Sequence, residues 1–208
     1  MLIDQYEYLK NILDDVHVVF DVGAKEGACT TQFLRIFPQV HVWAFDCADK
    51  AVQGLWRRFG DEKRVTVVER AIADHEGELN FHHCTRSGSN SIYPVTRTYA
   101  EEAQNLGAVT VPCTTLDAFT MENGIEHIDL LKIDVEGADY LVLKGAEKLF
   151  DQNLIRAVFC ELLFYPYYEG QHFYYEVIDL MVSRGFSLYA LYPMYWGGRL
   201  RYANALFM

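Results

Sequence analysis

Short runs of β-branched and aromatic residues alternate along this chain with stretches whose apolar positions recur every three or four residues. The first kind reads as buried strand and the second as amphipathic helix. Residues 2–15 carry Ile3, Tyr6, Leu9, Ile12 and Leu13 at helical spacing, which predicts a short helix leaning on a sheet edge. The continuous run at 17–22 predicts a strand buried on both faces. The helix after it runs from 28 to 37, where Pro38 closes it. A second strand is expected at 40–46, a helix at 48–59 and a strand at 65–71. Gly77 turns the chain into a loosely alternating strand at 78–84, followed by a small-residue loop at 85–91. Short strands follow at 109–112, from 128 and at 155–162, with a brief helix after 114 and longer helices at 140–149 and 174–184. The final strands, 186–192 and 200–207, are joined near Gly197 and Gly198, and strands linked so closely are antiparallel.

Composition narrows the class. The 208 residues suffice for one sizeable domain, so residues 1–208 are expected to form one unit, a helix over 1–16 and a core over 17–208. A net charge of −11 argues against a nucleic-acid backbone as partner. No apolar stretch approaches the roughly 18 residues of a spanning helix, and the acidic, amphipathic start is unlike a signal peptide. Five scattered cysteines, odd in number and without C-x-x-C spacing, fit reduced thiols in a cytoplasmic protein better than disulfides or a zinc site.

Candidate chemistry gathers where strands end. After the first strand come Asp21, Gly23, Ala24, Lys25 and Gly27, a turn in which glycines let the backbone approach a ligand without a Cβ in the way. The spacing is G-x-x-x-G rather than the G-x-G-x-x-G of dinucleotide folds. An acid two residues ahead of it would repel a pyrophosphate but welcome an ammonium group. Asp46 ends the second strand about 20 residues on, where a carboxylate can accept a vicinal ribose diol; taken alone it reads equally as a turn or cap acid. The third feature is Leu130-Leu131-Lys132-Ile133-Asp134-Val135-Glu136-Gly137. Charges in an apolar strand are costly unless paired. Either Lys132 and Asp134 form a buried pair that anchors the sheet, or Asp134 and Glu136 face a ligand, or both. Glu161 ends another strand. His82, His83, the 85–91 loop and the tyrosines from 165 to 175 are candidate walls of an acceptor pocket, though such features are often surface or packing.

Strand–helix alternation, acids at the carboxyl edge and a final antiparallel pair resemble the class I S-adenosylmethionine-dependent methyltransferases. More closely, the chain resembles the FkbM-type methyltransferases. Phe20 to Gly27, Trp43-Ala44-Phe45-Asp46, Thr114 to Asp117, Asp129 to Gly137, Leu143 to Ala146 and Phe159 to Leu162 carry the likeness. The chain departs from the family pattern at Asp46-Cys47, where glutamate and proline are usual, and at Lys25, where asparagine is. The resemblance implies an α/β, Rossmann-like fold: a mostly parallel seven-stranded sheet with a final antiparallel strand and helices on both faces. It implies methyl transfer to a hydroxyl of a sugar, polyketide or lipid-linked acceptor, with S-adenosyl-L-methionine as cofactor. Asp21, Gly23, Ala24 and Gly27 are then expected at its methionyl end, Asp46 and Cys47 at the ribose, Ala71 and Ile72 at the adenine, and Asp134 beside its reactive end. Asp134, Glu136, Glu161 and Lys132 form the catalytic group, one carboxylate serving as base.

Three alternatives stand beside this. Asp134 and Glu161 could hold Mg²⁺, which would acidify the acceptor hydroxyl. A nicotinamide oxidoreductase shares the fold but lacks its glycine fingerprint. A non-catalytic binding or interaction protein could use the same scaffold. The expected partners are a small-molecule or glycan acceptor and a second copy in a homodimer, not nucleic acid.

Overall fold

The computed structural model describes residues 4–208. Among them lie β1 (Val18–Val22), β2 (His41–Asp46), β3 (Val65–Glu69), β4 (Ala71–Ile72), β5 (Gly77–Cys84), β6 (Asn105–Thr114), β7 (Leu130–Ile133), β8 (Val158–Leu163), β9 (Leu188–Trp196) and β10 (Arg199–Phe207). The helices are α1 (Gln5–Ile12), α2 (Ala28–Ile36), α3 (Asp49–Phe59), α4 (Leu116–Asn123), α5 (Asp139–Lys144), α6 (Glu147–Asp151) and α7 (Tyr174–Ser183). Seven strands form one sheet in the order β3-β2-β1-β7-β8-β10-β9, with β10 antiparallel to both its neighbours. Alternation along β1 sends Val19 and Phe20 to opposite faces. Val19 packs with Leu9, Phe33, Val42 and Leu130, and Phe20 with Phe45, Phe119, Leu131 and Ile133. Each face is therefore covered, as a parallel sheet requires. No helix among the described residues is long and apolar enough to cross a membrane.

Four expectations are revised. The helix over 2–15 is α1, shorter at its end, and its first residues, with Ile3, lie outside the described residues. The strand expected over 65–71 breaks at Arg70: β3 stays in the large sheet, while Ala71 and Ile72 pair with Cys113 and Thr114. The strands expected at 78–84 and 109–112 leave the large sheet and form a second one, β4-β6-β5. The helix expected over 140–149 splits into α5 and α6 at Gly145 and Ala146. A Cβ at Gly145 would lie 2.1 Å from the Ala73 carbonyl oxygen, and Asp117 caps α6 by accepting from the Lys148 and Leu149 N–H groups at 3.0 Å. Helical periodicity ran through this break because its apolar face is continuous.

Candidate active site

The turn after β1 is built from left-handed backbone. Gly23, Lys25 and Gly27 have φ of 76°, 53° and 77°. A Cβ at Gly23 would stand 2.0 Å from the Asp134 carbonyl oxygen, so only glycine lets the β1 and β7 ends come this close. Parallel register sets Asp21 beside Lys132, and their side chains meet at 2.9 Å, with Asp134 farther from the ammonium at 3.8 Å. The ammonium also donates to the Gly23 carbonyl at 3.0 Å. Burial alone would push Lys132 down, but the Asp21 and Asp134 carboxylates reverse this and hold it charged. Asp21 is fully buried, its other oxygen accepting from the Thr30 hydroxyl at 2.6 Å.

This turn forms one wall of a cavity of about 1060 Å³ at the carboxyl edge of the sheet. Gly23, Ala24, Cys47, Asp46, Ala71 and Ile72 all line it, and Lys132, Asp134 and Glu136 close its inner end. Asp46 accepts from the Lys25 and Ala48 N–H groups at 2.8 and 2.9 Å, which fixes its carboxylate at the rim. Burial raises its pKa. The second sheet supplies the opposite wall through Phe81 and His83.

A smaller cavity of about 270 Å³ lies alongside, between the 86–89 loop, Glu161 and the β9–β10 hairpin. Glu136 lines both cavities, as does Gly88. Glu136 sits at φ 56° and is followed by Gly137 at 91°, a left-handed pair that lifts the carboxylate off the β7 axis. Its Oε2 accepts from the Tyr168 hydroxyl at 2.7 Å. Ser91 pins the same residue by donating to its carbonyl at 2.6 Å. Burial, then the Asp134 charge, pushes Glu136 up to about 8. Burial and the Glu136 charge push Glu161 well above the carboxylate range. Asp139, buried, is raised to about 7 by burial and Asp134; it accepts from the Glu161 and Val135 N–H groups at 3.0 and 3.4 Å, tying the β8 end to the Glu136 turn.

The sequence-derived residues thus gather at one sheet edge, with two exceptions in detail. Asp21, expected at a ligand, does not open on the cavity, because Lys132 and Thr30 enclose it. Gly27 caps α2 beneath Phe59 rather than lining the cavity: a Cβ there would stand 2.2 Å from that ring. No group of three or more His, Cys, Asp or Glu among the described residues is placed to hold a metal ion, so nothing in the site adds a further side-chain ligand to Asp134 and Glu161 for Mg²⁺. The larger cavity does suit a nucleoside with an amino-acid tail: an apolar slot beside Ala71 and Ile72, a fixed carboxylate at Asp46 and another at Asp134. Sequence reasoning missed Asp139, Trp196 and Arg201, and took in Arg86 only as part of the 85–91 loop. Asp139 falls three residues after Glu136 in the same acidic run, a spacing that could have flagged it; nothing local marks Trp196 or Arg201.

A sheet in this order, with β10 antiparallel beside β8, is the class I methyltransferase fold. The chain matches the Methyltransferase FkbM domain over residues 21–188 and belongs to that family of S-adenosylmethionine-dependent methyltransferases. It is 26% identical to the 2-O-methyltransferase NoeI of Sinorhizobium fredii over 185 residues, 85% of this chain and 74% of that one. The fold is shared with an rRNA methylase from Streptococcus thermophilus (TM-score 0.55, 13% identity, 100% of this chain and 98% of that one). It is shared too with Aeropyrum pernix fibrillarin, which was solved with natively bound S-adenosyl-L-methionine (TM-score 0.54, 10% identity, 98% and 73%).

Proposed function

We propose that this chain methylates a hydroxyl oxygen of a small molecule or glycan, with Glu136 as the base. The observation that carries the reading is that Glu136 is the carboxylate common to the two cavities. In this reading the larger cavity takes S-adenosylmethionine, with Asp46 at the ribose, Ala71 and Ile72 at the adenine, and the Gly23–Lys25 turn with Asp134 at the amino-acid tail. That cofactor supplies an electrophilic methyl group on a sulfonium. The smaller cavity holds the acceptor hydroxyl against Glu136, whose carboxylate removes the proton. Positioning is the larger contribution, and the base adds roughly 10²–10⁴-fold. A carboxyl poised near 8 is a stronger base than an ordinary carboxylate. Glu161 stays protonated beside it, which spares the site a second negative charge. Lys132 acts through Asp21 and the Gly23 carbonyl as a positioning residue.

The test is release of S-adenosylhomocysteine with a panel of hydroxylated acceptors, with mass spectrometry of the product. Below a pH of about 8 the wild-type kcat/KM should rise about tenfold per pH unit. Glu136→Gln should lose roughly 10²–10⁴-fold and that pH dependence. Wild-type rates in the variant, or a methyl group found on nitrogen or carbon, would contradict the reading.

A further inference from the structure

The smaller cavity is lined by charges of both signs, Glu136 and Glu161 with Arg86 and Arg201, among the aromatic rings of Tyr167, Trp196 and Tyr202. Arg201 is the unusual member. Its side chain is only 14% exposed, yet its guanidinium makes no hydrogen bond to any described residue, and Nε and Nη1 are buried without partners. The nearest carboxylate, Glu102, lies 3.6 Å from Nη2, and Arg86 Nη1 is 3.9 Å from the same residue. Both exceed hydrogen-bond distance. One carboxylate between two guanidinium groups leaves a net positive charge at this end of the cavity.

A buried cation without hydrogen bonds is costly, and here it is also held still. The Arg201 guanidinium lies over the Tyr165 ring, 3.8 Å from its centroid. Its carbonyl accepts from the Phe164 N–H at 2.9 Å, locking β10 to β8. A fixed, unsatisfied guanidinium on a cavity wall is what recognition of a carboxylate, sulfate or phosphate needs, because the partner then supplies the missing acceptors without reorganising the site. A cavity of about 270 Å³ has room for a single sugar ring with its substituents.

We infer that the acceptor is a sugar-sized ring bearing an anionic group, a uronic acid or a sugar sulfate or phosphate, bound through Arg201 and Arg86 with its reacting hydroxyl at Glu136. The inference rests on the assignment of the smaller cavity to the acceptor. It is tested by calorimetric titration of the S-adenosylhomocysteine-loaded protein with glucuronate, glucose 6-sulfate, glucose 6-phosphate and glucose. The charged sugars should bind about tenfold to a hundredfold tighter than glucose, and their ranking tells which anion the site takes. Arg201→Gln should erase the preference while leaving S-adenosylhomocysteine affinity unchanged. Arg86→Gln, at a more exposed position, should weaken the preference without endangering the fold. Equal or tighter binding of glucose, a preference that survives in both variants, or no saturable binding by any of the four would overturn the inference. Methylation of a neutral sugar hydroxyl by the wild-type protein, alongside any of those results, would leave the O-methyltransferase reading standing and remove only this one.

Discussion

Lys132→Met removes the ammonium that holds the β1 and β7 ends together. The lost contacts are the 2.9 Å ion pair with Asp21 and the 3.0 Å hydrogen bond to the Gly23 carbonyl. Asp21 would remain fully buried, with only the Thr30 hydroxyl as partner. Stranding one member of a buried pair costs about 3–5 kcal/mol. With a urea slope of about 3 kcal/mol per molar for a chain of this size, the unfolding midpoint should fall by about 1–2 M. The double variant Asp21→Asn, Lys132→Met takes away the stranded charge and should recover most of that loss, since a neutral pair has no uncompensated ion. Urea unfolding followed by circular dichroism measures both. A single variant within about 1 kcal/mol of wild type, or a double variant as unstable as the single, would show that the Lys132–Asp21 pair does not hold the two strand ends together.

Tyr168→Phe deletes a hydrogen bond to the Glu136 carboxylate that lowers its pKa, so the pH–rate profile should move to higher pH, with about 1 kcal/mol lost in unfolding. A profile unmoved by the variant would detach Tyr168 from the base. The free protein should also lose stability as pH rises. Asp139 and Glu136 are raised to about 7 and about 8, so between roughly pH 4 and 8 the folded state holds protons that the unfolded chain has released. Asp139 alone would account for on the order of 4 kcal/mol lost across that window, and denaturant midpoints at about pH 5.5 should exceed those at about pH 8.5. A midpoint that is flat or rises with pH would show that these carboxyls are not held protonated.

The parallel strands and the carboxyl-edge acids were legible in the sequence because buried strands and cofactor turns are written in contiguous residues. The run from Val18 to Gly27 and that from Leu130 to Gly137 each hold strand, turn and acid within about ten positions. Partnership across the sheet was not legible in the same way. Lys132 does pair with Asp134, two residues on, at 3.8 Å, but register also gives it a closer partner at 2.9 Å, Asp21, from more than a hundred residues away. Arg201 escaped notice for the same reason: its meaning depends on Tyr165, Glu102 and the β8 edge, none of which is near it in sequence. The second sheet was hidden because Arg70 interrupts a strand without any glycine or proline to mark the corner.

The most direct test of Glu136 as the meeting point of donor and acceptor is a crystal structure of the protein with S-adenosylhomocysteine. The ligand should lie in the larger cavity, with its ribose hydroxyls on Asp46, its adenine beside Ala71 and Ile72, and its sulfur facing Glu136 and the smaller cavity. A ligand bound elsewhere, or one whose sulfur faces away from Glu136, would contradict that role of Glu136.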